Sequence, residues 1–365
     1  METPMTALSR RSEAGLLPLL RPLLLLCLLL LAGCAARPGP EVLDPRPETE
    51  ATRVIRIYAA TNRALAGSFT TQPAFATAYR YYDISVPEGA SGAQIPYPEA
   101  EPDPARQMVV VESGVMDRAS FLSATRKAAR REAGDSGQLG LYVHGYNTRF
   151  QEALFRLAQI AAETDSTVAP VLFSWPSRGR PLDYEADRQA ALFSRTALSD
   201  LVTGLTAGGE RLVLFGHSMG GFLVMEVLQA LKLSGRDAVL DRLEVVLAAP
   251  DIDVFVFASQ LDTLGPMAHP IIVLTASDDR ALGLSSRISG GRPRLGALPA
   301  ASPMVAAAAR RANVQIIDIS AVEADPLGHQ RYVGLVQLYA RQEATPPALP
   351  GAYIFDAISR SLKAP

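Results

Sequence analysis

Gly216-His217-Ser218-Met219-Gly220 follows the run Arg211-Leu212-Val213-Leu214-Phe215 and precedes Phe222, Met225, Leu228 and Leu231 at helical spacing. A serine at such a strand-to-helix turn has its hydroxyl pushed out at the end of a sheet. The flanking glycines remove Cβ atoms that would collide inside so tight a turn. The chemistry such a serine performs is attack on a carbonyl carbon. It needs a base for the hydroxyl proton, a carboxylate to orient that base, and donors for the tetrahedral oxyanion.

In sheets bearing this kind of elbow the chain order is serine, acid, histidine. Of the four histidines, His144 and His217 precede Ser218, which leaves His269 and His329. Catalytic groups of open parallel sheets gather at the carboxyl ends of the strands. His269-Pro270 stands at the amino end of the strand expected over Ile271–Thr275, whereas His329 follows the final strand, Val314–Ile319, through the loop from Glu323 to Gly328. His329 is therefore the candidate base, His269 a turn residue, and His217 a neighbour pointing away from the hydroxyl. The acid stays open among Asp279, Asp278 and the pair Asp251/Asp253. All four follow strands at the productive edge, and the usual position two strands after the elbow favours the Ser277-Asp278-Asp279 turn. Asp251 and Asp253 are equally suited to capping a helix. The strand Leu139–Val143 runs into His144-Gly145-Tyr146-Asn147, so the amides of Tyr146 and Met219 are the candidate oxyanion donors, with His144 a structural hydrogen-bonding residue. Trp175 suits a pocket wall and plain packing equally.

These groups need a scaffold, and the pattern of the chain supplies one. Short β-branched and apolar runs at Val54–Tyr58, Tyr79–Val86, Met108–Glu112, Leu139–Val143, Val171–Phe173, Leu212–Phe215, Leu243–Leu247, Ile271–Thr275 and Val314–Ile319 alternate with helical stretches near Gln151–Thr164, Tyr184–Leu205, Gly221–Leu233 and Met304–Arg311. The later runs are almost wholly apolar, as strands buried on both faces are. The expectation is an α/β fold with a mainly parallel, doubly covered sheet. Glu88–Arg106 reads as a long loop, and Ser285–Pro303 as a second, either a lid or a surface insertion.

The N-terminus has its own message. Arg10, Arg11 and Arg21 lead into the apolar run Leu23–Leu31, which ends in Leu31-Ala32-Gly33-Cys34, the pattern of a signal peptide too short to remain as a membrane span. Its last four residues resemble the lipobox of bacterial lipoproteins. That resemblance implies cleavage before Cys34, lipidation of its sulfur and attachment to the cell envelope; Ala35 favours the periplasmic face of the outer membrane. The expected organisation is a signal peptide over 1–33, a lipidated cysteine and Pro/Glu/Arg-rich tether over 34–52, and one domain over 53–365. Cys27 and Cys34 are the only cysteines, so such a domain would carry no disulfide. Removing residues 1–33 takes away three Arg and two Glu and moves the formal charge from −2 to −3, too balanced for a nucleic-acid binder. The one basic run, Arg126-Lys127 with Arg130-Arg131, sits in a helical pattern and reads as a solvated face. No H-E-x-x-H and no phosphate-loop pattern is present, so neither a metal nor a nucleotide cofactor is expected.

Taken in order, Tyr58-Ala59-Ala60-Thr61-Asn62-Arg63, His144-Gly145-Tyr146-Asn147, Phe173-Ser174-Trp175-Pro176-Ser177, Tyr184 with Asp187, the elbow, Ala249-Pro250-Asp251-Ile252-Asp253, Asp279-Arg280-Ala281-Leu282 and Gly328-His329 resemble the α/β-hydrolase superfamily. The resemblance is to a branch of uncharacterised bacterial esterase/lipase-like proteins. It implies the α/β-hydrolase fold and a Ser-Asp-His hydrolase, carried here onto Ser218, Asp279 and His329. The expected activity is a lipid-anchored serine hydrolase cleaving small-molecule or lipid esters through an acyl-enzyme. An acyltransferase would use the same triad, and a non-catalytic envelope scaffold would keep the same fold.

Overall fold

The computed structural model describes residues 37–48, 53–90, 92, 94–133, 138–163, 168–300, 303, 305, 309, 310, 312–322 and 325–340. Among them nine strands form one sheet: β1 (Val54–Ala66), β2 (Ser68–Ser85), β3 (Val109–Met116), β4 (Gln138–Val143), β5 (Ala169–Ser174), β6 (Arg211–His217), β7 (Leu243–Ala248), β8 (Ile271–Thr275) and β9 (Val314–Asp318). Their spatial order is β3-β2-β1-β5-β4-β6-β7-β8-β9. From β1 to β9 every neighbouring pair is parallel, and β2 and β3 add an antiparallel edge. All residues of β4, β7 and β8 are buried, Gln138 and Glu244 included, as their mostly apolar runs require when helices cover both faces.

The helices divide between those faces. They are α1 (Arg118–Ala133), α2 (Phe150–Glu163), α3 (Tyr184–Phe193), α4 (Arg195–Thr206), α5 (Met219–Leu233), α6 (Asp237–Leu240), α7 (Val254–Leu264), α8 (Arg280–Ile288) and α9 (Arg331–Ala340). Alternate residues along a strand point to opposite faces. Leu139, Leu141, Leu212, Leu214, Val245 and Leu247 accordingly pack with Phe121 of α1, Leu201 of α4 and Leu223 of α5. Tyr142, Val213, Phe215, Val246 and Ala248 pack on the other side with Leu154 and Phe155 of α2 and Tyr332 of α9. This is the expected doubly covered, mainly parallel α/β sheet.

Several elements differ from the sequence reading for identifiable reasons. β1 and β2 run far beyond their expected segments, because they form a hairpin closed at Gly67 (φ 73°) whose distal part is partly exposed, with Leu65 and Phe75 facing solvent. The single helix expected over Tyr184–Leu205 is interrupted at Ser194, whose hydroxyl donates back to the Ala190 carbonyl at 2.8 Å and also accepts from Asn62. Such back-bonding bends helices. The tether expected over 35–52 contains a 3-10 turn, Pro40–Leu43, whose Val42 is buried in the core, and the Arg46 amide donates to the Val110 carbonyl at 2.8 Å. The packed chain therefore begins before Arg53. The segment expected as a loop over Ser285–Pro303 starts inside α8 and then packs down. Leu295 and Gly296 are buried, their amides donating to the carbonyls of Ile252 and Pro250 at 2.9 and 3.0 Å. Over that part it packs against the segment that follows β7. The signal peptide over 1–33 and Cys34 lie outside the described residues, as does much of Met304–Arg311.

The α2 face of the sheet offers a direct test of this packing. Phe155→Ala removes a fully buried ring and is expected to destabilise the domain by about 3–5 kcal/mol, read from chemical denaturation.

Candidate active site

Ser218 sits between β6 and α5 with φ 53° and ψ −120°, a conformation that a residue with a Cβ adopts only under constraint. The constraint is visible on both sides of the turn. Its amide donates to the Ala248 carbonyl at 2.9 Å, and its carbonyl accepts from Asp251 at 3.2 Å and Gly221 at 3.0 Å. A Cβ on Gly220 would lie 2.3 Å from the Val143 carbonyl oxygen and 2.5 Å from that of His144, and one on Gly216 would lie 2.8 Å from the Gly221 Cα. Both glycines of the elbow are thus required by backbone contacts, which cannot yield as a flexible side chain would. The start of α5 passes directly under the end of β4 for this reason.

Gly145 closes the other side. A Cβ there would stand 3.0 Å from the Ser218 Cβ and 2.9 Å from Nδ1 of His217, so the turn after β4 runs immediately over the serine. Met219 is the first residue of α5, and its amide belongs to the helix N-terminal set that has no carbonyl partner within the helix. Tyr146 follows Gly145, and its own amide direction is tied to the Gly145 carbonyl through the planar peptide between them. That carbonyl is held by Nδ1 of His144 at 2.9 Å. A carbonyl only accepts, so Nδ1 carries the proton and Nε2 accepts from the Ser174 hydroxyl at 3.0 Å. Burial and the neighbouring Arg63 charge push the His144 pKa down to about 3, keeping the ring neutral. It stacks on Trp175 with centroids 5.0 Å apart, and the indole N–H donates to the His144 carbonyl at 2.8 Å. Trp175 is fully buried, so its role is packing and not the exposed wall of a pocket.

His329 approaches from the loop after β9. Its Nδ1 lies 2.7 Å from Oδ2 of Asp279, whose side chain is wholly buried. The ring is also 4.8 Å from that of His217, and Nε2 of His217 donates to the His329 carbonyl at 3.2 Å, which anchors the loop beside the elbow. Burial pushes the His329 pKa down. The hydrogen bond and charge of Asp279, with the charges of Asp251 and Asp325, more than offset it, so the net shift is upward. Burial and the His329 charge hold His217 well below the usual imidazole range. The loop itself is shaped by Asp325, which accepts the amides of Leu327, His329 and Gln330.

The four candidate carboxylates separate cleanly. Asp279 caps α8 through Oδ1, accepting the Leu282 amide at 2.9 Å, which leaves Oδ2 for His329. Asp278 turns outward to Arg331 at 2.6 Å. Asp253 caps α7 through the amides of Phe255 and Val256. Asp251 accepts from Tyr184 at 2.9 Å and Ser285 at 2.5 Å and lies 3.3 Å from Nε of Arg294. His269 stands at the amino end of β8, away from this edge. Three residues of the site have no chemical signature in the sequence: Arg63, Ser177 and Asp187, buried under the turn after β4. They lie in the sequence blocks Tyr58–Arg63, Phe173–Ser177 and Tyr184/Asp187, and membership of those blocks was the available signal.

The parallel sheet, the strained serine elbow and the histidine returning after the last strand define an α/β hydrolase. The chain belongs to the family described as alpha/beta hydrolase of unknown function (DUF900), whose model matches residues 123–345. Among curated proteins, the uncharacterized protein alr1448 of Nostoc sp. is 30% identical over 117 residues, covering 24% of this chain and 30% of that protein. Among solved structures, phospholipase PlaB from Legionella pneumophila in complex with thio-NAD overlaps at TM-score 0.27 and 16% identity over 44% of each chain. A second PlaB structure overlaps at TM-score 0.22 and 16% identity over 50% of this chain and 38% of that one. The chain thus spans less than half of the length of each of these proteins, and overlaps this loose assign no reaction. Among the described residues no helix is long and apolar enough to cross a membrane.

Two glycines give opposite expectations. Gly220→Ala drives a methyl group into two backbone carbonyls and is expected to cost at least about 1–3 kcal/mol. Gly283→Ala, inside α8 with open space around it, is expected to stabilise by about 0.4–1 kcal/mol. Thermal unfolding of the two variants beside the parent reads both.

Proposed function

We propose that the protein is a serine hydrolase of carboxylic esters in which Ser218 is the nucleophile, His329 the general base and Asp279 the acid that orients it. The observation that carries this reading is the 2.7 Å contact between His329 Nδ1 and Asp279 Oδ2 beside an elbow whose serine has a positive φ. Ser218 attacks the ester carbonyl as Nε2 of His329 takes its proton, and the oxyanion is met by the amides of Met219 and Tyr146. The protonated His329, stabilised by the buried Asp279, then gives its proton to the leaving alcohol. Water repeats the sequence on the acyl-enzyme. Cys34 is the proposed lipid attachment site, supported by Leu31-Ala32-Gly33-Cys34, and would hold the enzyme on the cell envelope, at the periplasmic face of the outer membrane. Its several acyl chains would bind far beyond a single myristoyl group, since each buried CH₂ contributes ~0.8 kcal/mol.

Hydrolysis of p-nitrophenyl butyrate by the full chain tests this assignment. Ser218→Ala is expected to abolish turnover while leaving thermal unfolding intact. Asp279→Asn should lower kcat far more than Asp251→Asn or Asp278→Asn; the reverse order would move the acid elsewhere. The pH profile carries a sign. The base must be neutral, and its pKa is raised above the ordinary 6.5, so kcat/KM should climb with pH through a midpoint above that value. Asp279→Asn removes the main upward influence and leaves desolvation, so the midpoint of its residual activity should fall.

A further inference from the structure

Beneath the candidate oxyanion turn lies a buried polar cluster that the triad does not use. Register shifts interrupt β1 against β2 at Thr61/Arg63 and Arg63/Leu65. Such irregularities re-aim side chains. Arg63, 3% exposed, is directed inward and donates to the carbonyls of Ser177 at 2.9 Å and Thr148 at 3.1 Å and to the Ser174 hydroxyl at 3.1 Å. Asp187 of α3, fully buried, faces the same turn. Its Oδ1 accepts the Arg178 amide at 2.7 Å, and its Oδ2 accepts the Ser177 hydroxyl at 2.6 Å and the Asn147 amide at 3.0 Å.

The consequence is that each peptide unit from Gly145 to Thr148 is held. His144 holds the Gly145 carbonyl, and the Thr148 hydroxyl donates to the Tyr146 carbonyl at 3.1 Å. Asp187 takes the Asn147 amide, Ser177 Oγ takes the Thr148 amide at 3.0 Å, and Arg63 takes the Thr148 carbonyl. Asn147 is itself at φ 56°, a conformation that asparagine tolerates but that still needs external support. We infer that Asp187, acting through Ser177 and together with Arg63, is a positioning residue that fixes the direction of the Tyr146 amide toward the oxyanion. The inference rests on the serine-hydrolase reading above.

A carboxylate is the acceptor-only group this place demands. Asn has nearly the same shape, but its NH₂ must face either the Arg178 amide or the pair of donors from Ser177 and Asn147, so donor meets donor whichever way it is turned. Asp187→Asn therefore misaims the turn without emptying space. Loss of one oxyanion donor typically costs 10²–10³ in rate, and a misaimed donor is expected near the lower bound.

The test is the second-order rate of fluorophosphonate labelling at Ser218 of the full chain as a function of pH, with the labelled residue identified by peptide mass. Asp187→Asn is expected to react about 100-fold more slowly, with the pH midpoint of the wild type, because His329 and Asp279 are untouched. Ser177→Ala removes one hydroxyl, leaves the Thr148 amide without its acceptor, and is expected to slow labelling in the same way by a smaller factor. Labelling of either folded variant at the wild-type rate, or a slower rate with a shifted midpoint, overturns the inference. Loss of the folded domain in both variants, seen by circular dichroism, assigns the cluster to stability alone and overturns it as well. Failure of wild-type Ser218 to react is a different outcome, which removes the serine-hydrolase reading and the inference with it.

Discussion

The close crossing of the α5 N-terminus under the end of β4 is the constraint on which the rest of the site depends. Gly220 stands where a Cβ would meet the carbonyl oxygens of Val143 and His144, so these two elements touch backbone to backbone. That contact forces the chain between β6 and α5 through Ser218 in a positive-φ conformation, which costs about 1–3 kcal/mol by itself. The surrounding hydrogen bonds to Ala248, Asp251 and Gly221 over-determine the turn and hold it there. The same crossing brings the turn after β4 over the serine, since Gly145 lies against Ser218 and His217. Ser218 and the turn that carries the candidate oxyanion donors are thus brought together by one packing contact, and hydrogen bonds to side chains then hold that turn.

Two polar assemblies flank that crossing, each from distant parts of the chain. On one side His329 is held by Asp279 through its ring and by His217 through its carbonyl, while Asp325 shapes its loop. On the other, Arg63, Ser174, Ser177 and Asp187 grip the turn from below. Asp279 and His217 on the first side and all four residues on the second are buried, where unmatched donors and acceptors are costly and matched ones rigid. A third cluster, Asp251 with Tyr184, Ser285 and Arg294, ties the end of β7 to α3 and α8. It adds negative charge near His329 without touching its ring, contributing to the upward shift of that residue.

The parallel core was legible because Leu212–Phe215, Leu243–Leu247 and Ile271–Thr275 have no polar face, and only burial on both sides suits such runs. The elbow was legible because its geometry demands glycine, and the elimination of His144, His217 and His269 depended only on chain order and strand polarity. The choice between Asp278 and Asp279 was not. They are adjacent in one turn, and what separates them is Arg331, more than fifty residues away, which draws Asp278 outward. The hairpin extension of β1 and β2 was hidden for a related reason: its residues pair through backbone bonds, which leave no hydrophobic period. Arg63 and Asp187 lay in the blocks that resembled the family, yet their roles arise from bonds to Thr148 and Asn147 that no local pattern encodes. The packing of Val42 was obscured by the polar residues around it.

The proposed reaction turns on activation of Ser218 by His329. The most direct measurement is peptide mass mapping of the full chain after treatment with a fluorophosphonate, beside a His329→Ala variant shown by circular dichroism to be folded. Such activation is expected to give one phosphonyl adduct, on Ser218, that is lost in the variant. A folded wild type that carries no adduct, an adduct on another residue, or undiminished labelling of Ser218 without His329 would contradict it.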